Sequence, residues 1–255
     1  MNILDKIVES TRERVERDKK AGLPPQSKKL QNPFQFEKAL RQPGFHFICE
    51  VKKASPSKGV IAEDFPYLDI AKDYEEAGAS AISVLTEPEY FLGSDQYLVE
   101  IREDIKIPLL RKDFTIDPFQ IEQAASLGAD AILLICAILS PSQLSEYIKR
   151  ADEYGLSCLV EAHSEAEVEM ALAAGARIIG VNNRNLKTFE VDITLSERLR
   201  KLVPPNVLFV SESGISSPED IVKLREIRAD AALIGERFMR VSDKKTAIAK
   251  LRGSL

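Results

Sequence analysis

The 255 residues carry 35 lysines and arginines against 40 aspartates and glutamates, a formal charge of −5, with 44% apolar and 29% charged residues. This composition supports a substantial core and lacks the basic excess of nucleic-acid binders, though it leaves room for an anionic small substrate, because charges at a site outweigh a global count. No stretch reaches the roughly 20 apolar residues that span a bilayer, and Asp5, Lys6 and Glu9 interrupt any signal-peptide core, so an unsecreted cytoplasmic protein is expected.

In chain order, residues 1–44 come first and stand apart. Ile3, Leu4, Ile7, Val8 and Val15 make one amphipathic face, followed by a proline-containing stretch at Leu23–Pro33. This reads as an extra helix packed on the remainder and suited to closing one end of it; too few apolar residues are present for an independent core. From 45 to 255 short apolar runs alternate with amphipathic segments. Strands are predicted at Phe45–Val51, Ala81–Leu85, Ile107–Leu110, Ala131–Ile135, Leu156–Val160, Ile178–Val181, Val207–Val210 and Ala231–Ile234. They are almost wholly apolar, as parallel strands buried on both faces are. Helices are clearest at Leu68–Ala77, Pro118–Leu127, Ser142–Tyr154, Ala166–Ala174 and Pro218–Arg228. Pro118, Pro141 and Pro218 fall where first-turn prolines belong, and Ser217 suits a cap.

An internal repeat organises these elements. AGASAISVL at Ala77–Leu85, LGADAILLI at Leu127–Ile135, AGARIIGV at Ala174–Val181 and RADAALI at Arg228–Ile234 each end a helix and feed straight into a strand. Glycine there supplies the left-handed conformation that stops a helix cheaply. The copies recur about every 50 residues, the length of two strand–helix units, which makes four pairs and eight strands. The fold class expected is α/β, a single (β/α)8 TIM barrel with an N-terminal helical extension; an open doubly wound sheet is the alternative. Cys49, Cys136 and Cys158 lie in apolar runs without close spacing, so buried reduced thiols are expected rather than a disulfide or zinc framework.

In such barrels the active site lies at the C-terminal ends of the strands. Strand one ends Glu50-Val51-Lys52, strand three Leu110-Arg111-Lys112-Asp113, strand five Val160-Glu161, strand six Asn182-Asn183-Arg184 and strand seven Ser211-Glu212-Ser213-Gly214. Alternation along a strand puts Glu50 and Lys52 on one face and Lys112 with Leu110, while Arg111 and Asp113 point the other way. Two lysines and three glutamates meeting in one opening are costly to desolvate unless they pair or serve chemistry. For any single residue a satisfied ion pair closing the barrel end is the plainer alternative; their convergence favours chemistry. Small residues after strands seven and eight, at Ser213, Gly214, Gly235 and Glu236, stand where many barrels hold phosphate, and Arg184 can add a charged contact. Lys53–Val60 is polar with Ser-Pro and Gly, the composition of a mobile lid. Phe91, Phe114, Leu133 and Leu186 are apolar near strand ends. His46 begins strand one at the wrong end; His163 lies just beyond Glu161, within reach of the site, but better suits a helix entry; the two make no metal constellation.

Together these residues resemble one family. Glu50-Val-Lys52 with Ser55-Pro56-Ser57-Lys-Gly59, Leu85–Ser94 (LTEPEYFLGS), Leu110-Arg-Lys-Asp-Phe114, Leu159-Val-Glu161, Gly180–Leu186 (GVNNRNL) with Thr188-Phe189, Val210–Ile215 and Gly235-Glu236 are similar to indole-3-glycerol-phosphate synthase, in that family's order from about residue 3 onward. The resemblance implies ring closure, decarboxylation and dehydration of 1-(2-carboxyphenylamino)-1-deoxyribulose 5-phosphate. By resemblance Lys112 is the general acid of ring closure, Glu161 a base or acid in dehydration, Lys52 the holder of the substrate carboxylate and a second acid, and Glu50 the group that tunes the lysines. Glu212 and Asn182 orient hydroxyls; Arg184, Ser213, Gly214, Gly235 and Glu236 surround phosphate; Ser55, Pro56, Phe114, Leu133 and Leu186 bind the rest of the substrate. No metal or organic cofactor, nucleic acid or membrane is implied. A monomer is expected, with association with other tryptophan-pathway enzymes left open. Rival readings are a phosphoribosylanthranilate isomerase, which leaves the paired lysines unexplained, a Schiff-base aldolase using Lys112, and a binding protein, which would have lost the charges.

Overall fold

The computed structural model describes residues 2–27, 32–185 and 188–253. Eight strands form a closed parallel barrel: β1 His46–Val51, β2 Ala81–Leu85, β3 Leu109–Lys112, β4 Ala131–Ile135, β5 Ser157–Ala162, β6 Ile178–Asn182, β7 Leu208–Glu212 and β8 Ala231–Ile234. Each pairs with the next, and β8 closes on β1 through His46↔Ala231. Around it run α1 Ile3–Ala21, α2 Gln35–Leu40, α3 Tyr67–Glu76, α4 Asp95–Asp104, α5 Pro118–Ser126, α6 Pro141–Glu153, α7 Glu165–Ala173, α8 Thr194–Arg200, α9 Pro218–Glu226, α10 Glu236–Met239 and α11 Lys244–Arg252.

Local chemistry sets the boundaries. Asp117, Ser140 and Ser217 cap α5, α6 and α9 ahead of first-turn prolines. Gly78, Gly128 and Gly175 take positive φ at three repeat junctions, and Arg228 does so at the fourth, at φ 58°. The predicted third strand starts late: Pro108 has no N–H, and the Ile107 amide is bound by Glu75 Oε1 at 3.0 Å instead of joining the ladder. β3, β5, β6 and β7 run one or two residues past their apolar runs, so Lys112, Glu161, Asn182 and Glu212 are themselves strand residues.

Two apolar layers result. Outward-facing strand residues pack against the helices, while the inward faces form a second cluster that includes Ile48, Leu110, Ala131, Leu159, Ile178 and Leu208. Phe36 and Leu40 of α2 complete the inner cluster from below, both essentially unexposed. Burying such side chains contributes about 2–3 kcal/mol each. Barrel closure therefore falls to α2, which the sequence reading did not separate, and not to α1. That longer helix lies toward the other end, where Arg14 pairs with Asp113 at 2.7 Å and Lys19 with Asp117 at 2.7 Å. The expected lid segment contains a small antiparallel hairpin, Ala54–Ser55 with Gly59–Val60. All three cysteines are free and buried. Among the described residues no helix is long and apolar enough to cross a membrane.

Candidate active site

A cavity of about 620 Å³ opens at the C-terminal rim of the strands. Glu50, Lys52, Lys112, Glu161, Asn182 and Glu212 all line it, as do Ser55, Pro56, Phe114, Leu133, Arg184, Ser213, Gly214, Gly235 and Glu236. Leu186 lies outside the described residues. Within β3 the alternation is as expected: Arg111 turns outward to Asp95 and Gln123 while Lys112 turns in. Asp113, one residue past the strand, borders the cavity even though its carboxylate is bound by Arg14 and Thr86.

Lys112 Nζ is the hub. It stands 3.4 Å from Glu212, 3.8 Å from Glu50 and 3.9 Å from Glu161, carboxylates that come from three other strands. Register places them there: Leu85 pairs with Lys112, Ile135 with Glu161 and Asn182 with Glu212. Lys52 pairs with the far oxygen of Glu50. Burial disfavours the Lys112 ammonium, but the three carboxylates outweigh it and hold the group above the ordinary lysine range. Burial likewise acts to raise Glu50, yet the two ammoniums keep its carboxyl below the usual value. Glu212 goes the other way. Burial first, then repulsion from Glu161 and Glu50, pushes it up to about 7 against the pull of Lys112. Three carboxyls and two ammoniums carry net charge −1 when all are ionised, and one proton brings the group to neutrality.

Two glycines make room for this cluster. A Cβ on Gly180 would collide with Glu212 Oε1, and one on Gly235 with Glu50 Oε2 while standing 3.0 Å from Lys52 Nζ. At the β7 end Ser213 and Gly214 take consecutive positive φ values, 66° and 80°, and a side chain at Gly214 would collide with Val191. α10 begins at Gly235 without a capping side chain. Such turns present backbone N–H groups to an anion. Arg184 is 3.9 Å from the Glu236 carboxylate, which Lys58 and Arg240 also approach. The side chain of Glu236 thus organises cations, leaving its backbone as the part suited to phosphate.

Sequence reasoning missed several contributors. Ile3, Leu4 and Ile7 of α1 line the cavity, and residue type alone does not separate a pocket wall from packing. Asn183 ties the phosphate-side turn to its strands, donating to Ser211 Oγ and Ser213 O at 3.0 Å each and accepting from Ser196. Its signal was its place between Asn182 and Arg184. Phe91, which the sequence had already placed near a strand end, joins Phe114 on the apolar side, with ring centroids 6.0 Å apart. His46 is bound between Ser80 and Gln42 at the opposite end.

An apolar-walled cavity with an ammonium–carboxylate hub at one side and an anion-receptive turn at the other defines a barrel enzyme of acid–base chemistry. Comparison with solved structures agrees on the fold: 3-hexulose-6-phosphate synthase from Salmonella typhimurium superposes with a TM-score of 0.66 at 15% identity, covering 81% of this chain and 96% of that one. The family model described as indole-3-glycerol phosphate synthase matches residues 4–251. Curated relatives under that name include one from Ruminiclostridium cellulolyticum, 63% identical over 99% of both chains, and one from Endomicrobium trichonymphae, 53% identical over 98% of this chain and 99% of the other. The chain belongs to the indole-3-glycerol phosphate synthase family.

Proposed function

We propose that Lys112, Lys52, Glu50, Glu161 and Glu212 carry the reaction of that family, the conversion of 1-(2-carboxyphenylamino)-1-deoxyribulose 5-phosphate to indole-3-glycerol phosphate in tryptophan biosynthesis. The observation that carries this reading is the single ammonium of Lys112 held within 3.9 Å of three buried carboxylates. In ring closure the aromatic carbon bearing the carboxylate attacks the ketone carbon, and negative charge gathers on the ketone oxygen. An ammonium held charged beside that oxygen stabilises the charge and then protonates it, because an alkoxide is a far stronger base than an amine. That is the role of Lys112.

Lys52 receives the substrate carboxylate, its charge balanced by Glu50, and acts as a second acid. Release of carbon dioxide restores the ring; Glu161 then takes the proton next to the nitrogen as the hydroxyl departs as water. Asn182 and Glu212 orient hydroxyls. Arg184, Ser213, Gly214, Gly235 and the backbone of Glu236 receive phosphate, while Ser55, Pro56, Phe114, Leu133 and Leu186 enclose the remainder. Each step is a carbon–carbon bond change, a carbon–oxygen cleavage that releases water, or a proton transfer that these side chains serve, so the reading calls on no metal or organic cofactor. Residues 1–44 form the extension packed on the barrel and residues 45–255 the catalytic unit. The three buried free thiols suit a reducing compartment and support a cytoplasmic location; the described site residues all line one cavity of a single chain, which supports a monomer.

The test supplies the carboxyphenylamino ribulose phosphate and follows indole fluorescence. Wild type is expected to form product, and Lys112→Ala to lose about 10²- to 10⁴-fold in kcat while still binding the phosphate-bearing product. Folded protein without fluorescence, or a Lys112→Ala variant equal to wild type, contradicts the proposal. Lost binding with chemistry intact at saturation reverses the role given to Lys112.

A further inference from the structure

The reaction leaves the cavity one proton short at the end of each turnover. The ketone oxygen leaves as water and takes up two protons, one when the ring closes and one when the hydroxyl departs. The carbon next to nitrogen returns one. Carbon dioxide leaves without a proton, its bonding electrons completing the ring. Each turnover therefore draws one proton from solvent, which a path behind the cavity can return to Lys112 without passing the substrate.

We infer that His163 is the relay that supplies this proton, passing it from Glu167 on the barrel flank to Glu161 from the side away from the cavity. The ring lies between the two carboxylates, with Nε2 3.4 Å from Glu161 Oε1 and Nδ1 3.5 Å from Glu167 Oε2. His163 is not among the cavity-lining residues. The order of exposure runs outward: side chains are 3% exposed at Glu161, 16% at His163 and 24% at Glu167. Glu161 in turn faces Lys112 at 3.9 Å, so the line ends on the general acid. Both ring nitrogens are buried and lack a conventional hydrogen bond, so transfer requires each of these contacts to shorten by roughly half an ångström.

The helix-entry role open to a residue here is filled by the backbone: the His163 N–H donates to Glu167 Oε2 at 2.6 Å, and Ser164 caps α7. The imidazole is therefore left for other work. Burial acts to raise the Glu167 carboxyl, but His163 holds it below the usual carboxylate range. Glu167 therefore takes a proton from solvent only in passing and hands it to Nδ1 while Nε2 releases one to Glu161, and a ring flip resets the tautomer. The charged groups facing it are Glu161 on β5, Glu167 on α7 and Glu212 on β7. The Cys136 thiol, near Glu167 and Glu161, stays protonated because burial pushes it up to about 12. Burial lowers the affinity of His163 for a proton, but the carboxylates prevail and raise it, which keeps the ring charged closer to neutral pH.

His163 acts through Glu161 as a positioning residue, and the inference rests on the proposed role of Glu161 in dehydration. The experiment uses the full chain as wild type, His163→Gln, His163→Ala, Glu167→Gln and Glu161→Gln, with kcat, KM and their pH profiles. Glu167→Gln retains an acceptor for the His163 N–H and removes only the ionisable group. His163→Gln is expected to lower kcat about 5- to 20-fold, well short of a direct acid or base, with KM nearly unchanged and a loss that deepens as pH rises. Glu167→Gln should show a smaller loss of the same form, and added imidazole should restore His163→Ala. Wild-type kcat and pH profile in both His163 variants, beside an impaired Glu161→Gln, overturns the relay. So does a loss that ignores both pH and imidazole, which marks a packing role. An unimpaired Glu161→Gln instead removes the reading of Glu161, and the relay falls with it.

Discussion

The two ends of the barrel are built from the same inward-facing register and have opposite chemistry. At the N-terminal end Ile48, Leu110, Ala131, Ile178 and Leu208 meet Phe36 and Leu40 in an apolar plug. Two or four residues further along the same strands, the same face presents Glu50, Lys112, Asn182 and Glu212. A side-chain period of two makes this succession unavoidable once one inward residue is fixed. The lower end supplies packing energy; the upper end holds buried charges whose desolvation their mutual attraction offsets only in part. Stability and chemistry are thus separated by about one turn of side chains.

That separation can be broken at either end. The largest stability effect is expected at the plug: Phe36→Ala should cost about 3–5 kcal/mol in urea unfolding, with kcat per folded molecule within about twofold. A parallel loss of kcat would show that the ends are coupled. Next comes Gly180→Ala, which forces Glu212 from its place by steric contact alone. A displacement near 1 Å at a reacting site costs about 10²-fold, so kcat should fall roughly 10- to 100-fold while the melting temperature moves little; unchanged kcat would mean that the position of Glu212 does not matter.

The smallest effect concerns pH. Glu212 titrates near 7 in the folded chain against 4.5 ordinarily, so between those values the folded state keeps a proton that the unfolded chain releases. Its contribution is complete below pH 4.5 and is lost as pH rises through 7. Relative to Glu212→Gln, which does not titrate, wild type should lose about 1–3 kcal/mol across that window. A flat difference would show that the carboxyl is ionised throughout.

The plug and the rim were unequally legible in the sequence. Apolar runs, glycine junctions and first-turn prolines revealed the barrel because each reflects a local backbone need. Strand ends were clipped because an apolar criterion stops at Arg111, Glu161 and Ser211, whereas the strands run on to Lys112, Ala162 and Glu212. α4 escaped notice because Arg102 fills one of its buried positions, paired with Asp130 at 2.9 Å. α2 is only six residues long and shows its purpose only against the closed barrel. The hub residues could be chosen by parity, but the convergence of three other strands on Lys112 is a property of closure. The nearness of His163 to Glu161 was legible in the sequence, but the placing of its ring between Glu161 and Glu167 was not, since the chain turns from β5 into α7 there.

The most direct test of the rim assignment is a crystal structure with indole-3-glycerol phosphate bound. The account expects the indole to lie over Leu133 and Phe114, the phosphate against Ser213, Gly214 and Gly235, and Lys112 Nζ within about 4 Å of the indole carbon that carried the ketone oxygen. Product seated with its phosphate at that turn but its ring away from both ammoniums would contradict it.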